Sequence, residues 1–412
     1  MCVAWEICSL HKLIKGASRC HCRRMDRPPA LNSLHHIPGR CLVTSVPNCK
    51  ALSRDERRSC KRQQSKDLQQ GWLEDLQASG SVGREAWQVQ LWLGLFPVNR
   101  RQLGRPGLLN ASVSTIREHL NSSYGQLLEA MLLDPALQIS LNGPANHRRN
   151  PNENLARELL ELFSLGEGNY SETDVKEAAR ALTGYRLKAD GQMELMPRRH
   201  DSGPHTILGR TEAFDAPSLA AWLAEQPATA SHIARRVWRR CIGTDPSPAR
   251  LQAVATGWRA QDLSLPWLMQ TLASSPEAEQ SQRQGLRLRD PLELVVRSLQ
   301  LLGSDHPDAI AISLRGLRAM GQAPFEPPSV KGWPVNEEWL NLRWLQARRR
   351  TLQQLLADEE VWDTRQLPST LAANLTDLPP LALALPAAAD RDSVAALFAD
   401  PVWQLGLSPA LR

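Results

Sequence analysis

"PNENLARELLELFSLGEGNYSETDVKEAARALTGY", residues 151–185, decides the fold class. Leu155, Leu159, Leu162 and Phe163 recur at helical spacing and share one face. Gly166 and Gly168 stop that run, and Ser171 with Asp174 supplies a second helix-start signal. Val175, Ala178, Ala179 and Leu182 then form another apolar stripe up to Gly184. The stretch predicts two helices joined by a short glycine turn. Its start is read as a cap at Asn150, with Pro151 in the first helical position and Glu153 completing a capping box.

Opposite the leucines lie Asn154, Arg157, Glu158 and Glu161. Glu153–Arg157 and Arg157–Glu161 are i,i+4 pairs, each worth about 0.2–0.5 kcal/mol on an exposed helix. Capping and pairing account for most of this polarity, and Asn154 and Glu158 are left over. If the face meets a cleft, Asn152, Glu153, Asn154, Arg157 and Glu158 form a polar site with His200 and Asp201 of "RHDSGPH" (199–205). Helical bundles build sites from inward-projecting Glu and His side chains. The H-D-x-x-x-H spacing specifies no metal, so neither a metal nor a cofactor is assigned.

Working outward, the texture stays helical. "REAWQVQLWLGLF" (84–96) places Trp87, Leu91 and Leu95 on one face, and Pro97 ends it. Asp134 followed by Pro135 reads as an N-cap and first helical position. Helices are expected at 216–226 and 227–243, near 249–259, 264–274 and 290–302, and again near 392–400. Arg235, Arg236, Arg239 and Arg240 are read as charges complementing a helix C-terminus before Gly243. Residues 190–210 are the exception, an irregular loop or short hairpin. "GQAPFEPPSVKGWPVNEEWL" (321–340) is a proline-rich loop closing onto a helix from Asn336. Phe325, Lys331 and Trp333 mark it as a candidate interaction loop. The fold class is all-α, a large multi-helix, bundle-like domain.

Composition bounds the function. The 412-residue chain carries a net charge of +6, yet residues 1–66 hold 14 Lys and Arg against 4 Asp and Glu. The remainder is mildly acidic, with 35 against 39, which argues against a nucleic-acid partner. No run of about 18 apolar residues marks a transmembrane segment. Seven of the eight cysteines lie within the first 60 residues. A zinc knuckle using Cys20, His21, Cys22, His35, His36 and Cys41 lacks a second paired spacing. An odd seven does not close a disulfide framework. Residues 1–66 are read as a basic, Cys-rich segment, disordered or upstream of a mis-assigned start. The opening residues lack the apolar core and cleavage site of a signal peptide. Residues 67–350 are the helical domain, and 351–412 a helical extension rich in Pro, Ala and Leu. No G-x-S-x-G, Walker loop, G-x-G-x-x-G or H-E-x-x-H motif occurs.

The blocks at 151–185, 199–209 and 317–334 resemble those of the bacterial domain-of-unknown-function 1800 family, from about residue 72 onward. The resemblance implies a mostly helical protein, often exported, with a companion protein similar to sulfatases and alkaline phosphatases. Many members carry a Trp-His-Asn-His-Phe-like motif where this chain has Trp92-Leu93-Gly94-Leu95-Phe96, without the histidines. The sequence therefore favours a non-catalytic scaffold or interaction module acting with a partner protein. The alternative is a hydrolase or metal-dependent site using Glu153, Glu158, His200 and Asp201.

Overall fold

The computed structural model describes residues 53–103, 105–368 and 390–412. Seventeen α-helices occur among them. The first seven are α1 (Arg54–Gln77), α2 (Gly80–Leu95), α3 (Gly107–His119), α4 (Tyr124–Leu132), α5 (Pro135–Ser140), α6 (Asn154–Glu161) and α7 (Glu172–Ala181). Two antiparallel hairpins follow, β1 (Tyr185–Leu187) with β2 (Met193–Leu195) and β3 (His205–Ile207) with β4 (Arg210–Glu212). Their registers pair Tyr185 with Leu195 and His205 with Glu212. The chain continues through α8 (Ala216–Glu225), α9 (Pro227–Ile242), α10 (Pro248–Ala260), α11 (Leu265–Ala273), α12 (Pro276–Gln284), α13 (Pro291–Leu302) and α14 (Pro307–Ala319). It ends in α15 (Leu342–Ala357), α16 (Glu359–Asp363) and α17 (Arg391–Ala399). No helix of the described residues is long and apolar enough to cross a membrane.

Local chemistry sets these boundaries. Each helix from α8 to α14 has a proline in its first turn, where a missing N–H costs nothing. Capping boxes start α4 (Ser123 with Gln126), α7 (Ser171 with Asp174) and α13 (Asp290 with Glu293). The expected cap at Asp134 is present, its carboxylate accepting from Leu137 N–H. The start of α6 differs from expectation. The helix begins at Asn154, Glu153 makes no side-chain cap, and Asn150 instead bridges to His147. Asn152 takes over, its Oδ1 accepting from Asn154 N–H at 3.1 Å.

The core is centred on aromatic rings. Tyr124 lies 5.9 Å from Trp92, 6.2 Å from Phe96 and 5.8 Å from Trp258, while Phe96 meets Phe163 at 5.2 Å. The Tyr124 hydroxyl donates to the Phe163 carbonyl at 2.7 Å, and Arg236 of α9 donates to the Leu162 carbonyl. These two donors satisfy carbonyls that the end of α6 leaves free. The hairpin of α6 and α7 is thereby fastened to α4 and α9.

Two boundaries drawn from the sequence are crossed by helices. α1 begins at Arg54, ahead of residue 67, and α15 runs through residue 350. The described part of 351–412 is built into the body rather than appended. α17 packs on α15, Trp403 Nε1 donates to Ser298 Oγ at 3.0 Å, and Arg289 donates to the Trp403 carbonyl. Residues 1–52, which include most of the Cys-rich segment, lie outside the described residues. At Asn336 the chain forms a short 3-10 helix to Trp339, and α15 starts only at Leu342.

Arg287 and Glu293 form a fully buried bidentate pair, with Nη1–Oε2 at 2.7 Å and Nη2–Oε1 at 2.5 Å. Removing one member leaves an uncompensated buried charge. Arg287→Met should therefore cost about 3–5 kcal/mol of unfolding free energy in denaturant titrations. A double Arg287→Met/Glu293→Leu variant should recover much of that loss. Equal losses in the single and double variants would show that the carboxylate is not what makes the single costly.

Candidate functional site

The residues singled out in the sequence fall into three contact sets. In the first, Arg157 on α6 forks between Glu153, at 3.2 Å, and Glu172 at the start of α7, at 2.7 Å. Asn154 is exposed. This is a solvated ion-pair set, and such pairs contribute little.

The second set lies around "RHDSGPH". Arg180 at the end of α7 pairs with Asp201 at 2.8 Å and with Glu177 at 2.8 Å. The Thr183 hydroxyl accepts from Asp201 N–H, and the Thr183 carbonyl lies 3.0 Å from His200 Nδ1. The Arg180 guanidinium, together with the Gly203 N–H, holds the Asp201 carboxyl below the usual carboxylate range against a smaller opposing effect of burial. His205 is fully buried with neither ring nitrogen hydrogen-bonded among the described residues, and its Nε2 lies 4.0 Å from Asp201. Burial first, then Arg180, pushes its imidazole down, so it stays neutral. The arrangement ties the β-hairpins to α7.

Glu158 belongs to the third set, which the sequence did not assemble. It is half-buried on α6 beside Glu161, and Lys331 of the proline-rich loop lies 3.8 Å from Glu161. Burial first, then the like charge of Glu161, raises the Glu158 carboxyl above its ordinary range, against the pull of Lys331 and Arg157. Among the described residues, Glu158 exchanges no hydrogen bond or ion pair with His200 or Asp201. Nor is any group of three or more His, Cys, Asp or Glu gathered to hold a metal there.

The loop itself is pinned from several sides. Gln69 of α1 donates to the Pro324 carbonyl, Arg100 N–H donates to the Phe325 carbonyl, and Glu326 pairs with Arg100 and Arg101. Phe325 and Trp333 of the candidate interaction loop, the latter read as either docking the loop or anchoring a partner, are turned inward. Phe325 meets Trp72 at 5.9 Å, and Trp333 joins Leu288 and Trp339 in a small second core. Each is large and apolar, and burial against the body outweighs exposure. At Gly332 (φ +89°) a Cβ would stand 2.6 Å from the Gly94 carbonyl, so only glycine lets the loop meet α2 here.

Beside this contact runs Arg240 of α9, which donates to the Gly94 carbonyl at 3.1 Å. A cavity of about 50 Å³ opens between α2, α9 and the loop, lined among others by Gln90, Gly94, Arg240, Arg287, Trp333 and Trp339. The sequence read Arg240 as a helix-end charge. Its one visible signal was Gly94, a glycine inside the apolar run at 91–96.

A helical body with an inward-docked, proline-rich loop is thus the class of protein defined here. The chain matches the family described as "Protein of unknown function (DUF1800)" over residues 11–405 and belongs to it. The match begins well upstream of residue 72. No curated protein and no solved structure matches.

The raised Glu158 carboxyl gives a signed test. Its folded form favours the proton, so the stability it lends is present below about pH 4.5 and lost as pH rises through the raised value. Glu158→Gln should remove that loss. Unfolding midpoints measured between about pH 4 and 7 should move in favour of the variant as pH rises. A variant that loses ground with pH would mean that the ionised carboxylate is held by a partner.

Proposed function

We propose that this chain is a non-catalytic helical module that docks a partner protein on the face made by Val330 and the start of α15. One observation carries the reading. Of the six large apolar side chains exposed among the described residues, five are Leu286, Val330, Leu340, Leu342 and Leu345. Leu286 adjoins this face, its carbonyl accepting from Asn336. Scattered exposed leucines need no explanation, but a cluster marks an interaction surface.

Charge defines the occupant. Leu342, Leu345 and Arg349 fall at i, i+3 and i+7 on one face of α15, with exposed Arg343 and Arg350 on the adjoining one. Farther along α15, Thr351, Leu352 and Leu355 are buried. A partner segment with apolar side chains flanked by carboxylates fits this pattern. The companion similar to sulfatases and alkaline phosphatases, implied by the resemblance to the family, is the partner we infer.

The hydrolase or metal-dependent alternative has less support. Arg180 pairs with Asp201, and among the described residues Glu158 exchanges no hydrogen bond or ion pair with His200. The reading is tested by co-expressing the chain with such a companion and following both by size-exclusion chromatography. Co-elution is expected, and Leu342→Asp/Leu345→Asp should abolish it while leaving the unfolding midpoint within about 0.5 kcal/mol of the parent, as surface changes do. A chain that elutes as a free monomer beside its companion would sink the proposal.

A further inference from the structure

We propose that the cavity beneath Trp333 binds a small carboxylate, gripped by the guanidinium of Arg240. The argument is a count of donors against acceptors. Most of the side-chain acceptors lining the cavity are already engaged. Gln90 Oε1 accepts from Trp72 Nε1, Gln322 Oε1 from Leu292 N–H, and Asn336 Oδ1 from Leu288 N–H. Asp290 caps α13, and Glu293 holds Arg287 with both oxygens.

The donors are in surplus. Trp333 is 7 % exposed and Trp339 0 %, both line the cavity, and neither indole N–H finds an acceptor among the described residues. Buried donors are nearly always paired, so two unpaired indoles in one wall point to an acceptor. Arg240 has five N–H groups and spends one on the Gly94 carbonyl, with no carboxylate within ion-pair distance among the described residues. Burial first, then the neighbouring Arg236, pushes its guanidinium down to about 9, with Asp290 opposing at longer range. An anion beside it relieves that penalty.

Size and charge select the anion. A cavity of about 50 Å³ takes a formate- or acetate-sized group. Asp290 and Glu293 in the same wall repel a phosphate dianion more strongly than a monoanion. A planar carboxylate also matches the fork of a guanidinium. The docking face on α15 plays no part in this argument.

The test is thermal unfolding of the full chain in sodium formate, acetate and phosphate, each against sodium chloride at matched ionic strength. Formate or acetate should raise the midpoint along a saturating curve, whereas a general salt effect climbs without a plateau. Arg240→Gln should raise the half-saturating concentration about tenfold or more, the loss expected of charge-assisted hydrogen bonds. Lys176→Gln, on the exposed side of α7, should leave the curve unchanged. If Arg240→Gln fails to fold, Trp333→Phe keeps an aromatic ring, removes the N–H together with the pyrrole ring, and should weaken the response about three- to tenfold. No saturable shift with either carboxylate overturns the proposal. So does a response to phosphate alone, or a response unchanged in Arg240→Gln or Trp333→Phe.

Discussion

A single buried guanidinium, that of Arg287, holds together segments far apart in the chain. Beyond its pair with Glu293 on α13, its Nε donates to the Arg240 carbonyl at the end of α9 and its Nη1 to the Gly406 carbonyl near the C-terminus. Gly406 N–H returns a bond to the Arg287 carbonyl. The backbone must come close for this to work. A Cβ at Gly243 (φ +96°), which ends α9, would stand 2.6 Å from Arg287 Cβ. Buried ion pairs gain little over apolar packing, so what this one contributes is registry between α9, α13 and the tail.

From that registry follows the placement of the proline-rich loop. With the end of α9 fixed, Arg240 reaches back to Gly94 on α2, and Gly332 closes over the same carbonyl. Asn336 then spans the base of the loop, its Nδ2 donating to the Gly243 carbonyl and its Oδ1 accepting from Leu288 N–H. Glycines at 243 and 332 are thus the condition for the loop's position, while Trp333 and Trp339 supply its apolar hold. On α2, Leu93 and Leu95 are buried in the main core. This chain has apolar packing at those positions.

How much of this was legible depended on whether the signal was local. Helix starts that rest on adjacent residues, such as Asp134–Pro135 and Ser171–Asp174, were readable because cap and partner lie within one turn. At Asn150 the same pattern misled, because Asn146 Oδ1 accepts from the N–H of Asn152, six residues on, and diverts the chain before the helix begins. The two hairpins at 185–212 were legible only as one irregular loop or short hairpin, since three-residue strands leave almost no alternation to count. For the candidate site the limit was distance. Glu158 was singled out from its own helix, but Glu158, Lys331 and Arg240 come from three elements, and no spacing rule joins them. Trp333 was recognised as unusual, yet whether a loop tryptophan turns in or out is decided by Leu288 and Trp339, which only the fold supplies.

The segment 330–345 faces two ways. Its inner side, Trp333 and Trp339, walls the cavity at Arg240, and its outer side presents Val330, Leu340, Leu342 and Leu345. The two sides share one short backbone, with Trp339 and Trp344 in ring contact at 5.0 Å across the joint between the 3-10 helix and α15. An acceptor that paired the two indoles would stiffen the same residues that a docking partner must find ordered. Coupling of this kind is bounded by the difference in affinity for the ordered and unordered loop, and it is reciprocal. A partner bound to α15 would therefore tighten the cavity's hold on a carboxylate by the factor that the carboxylate tightens docking.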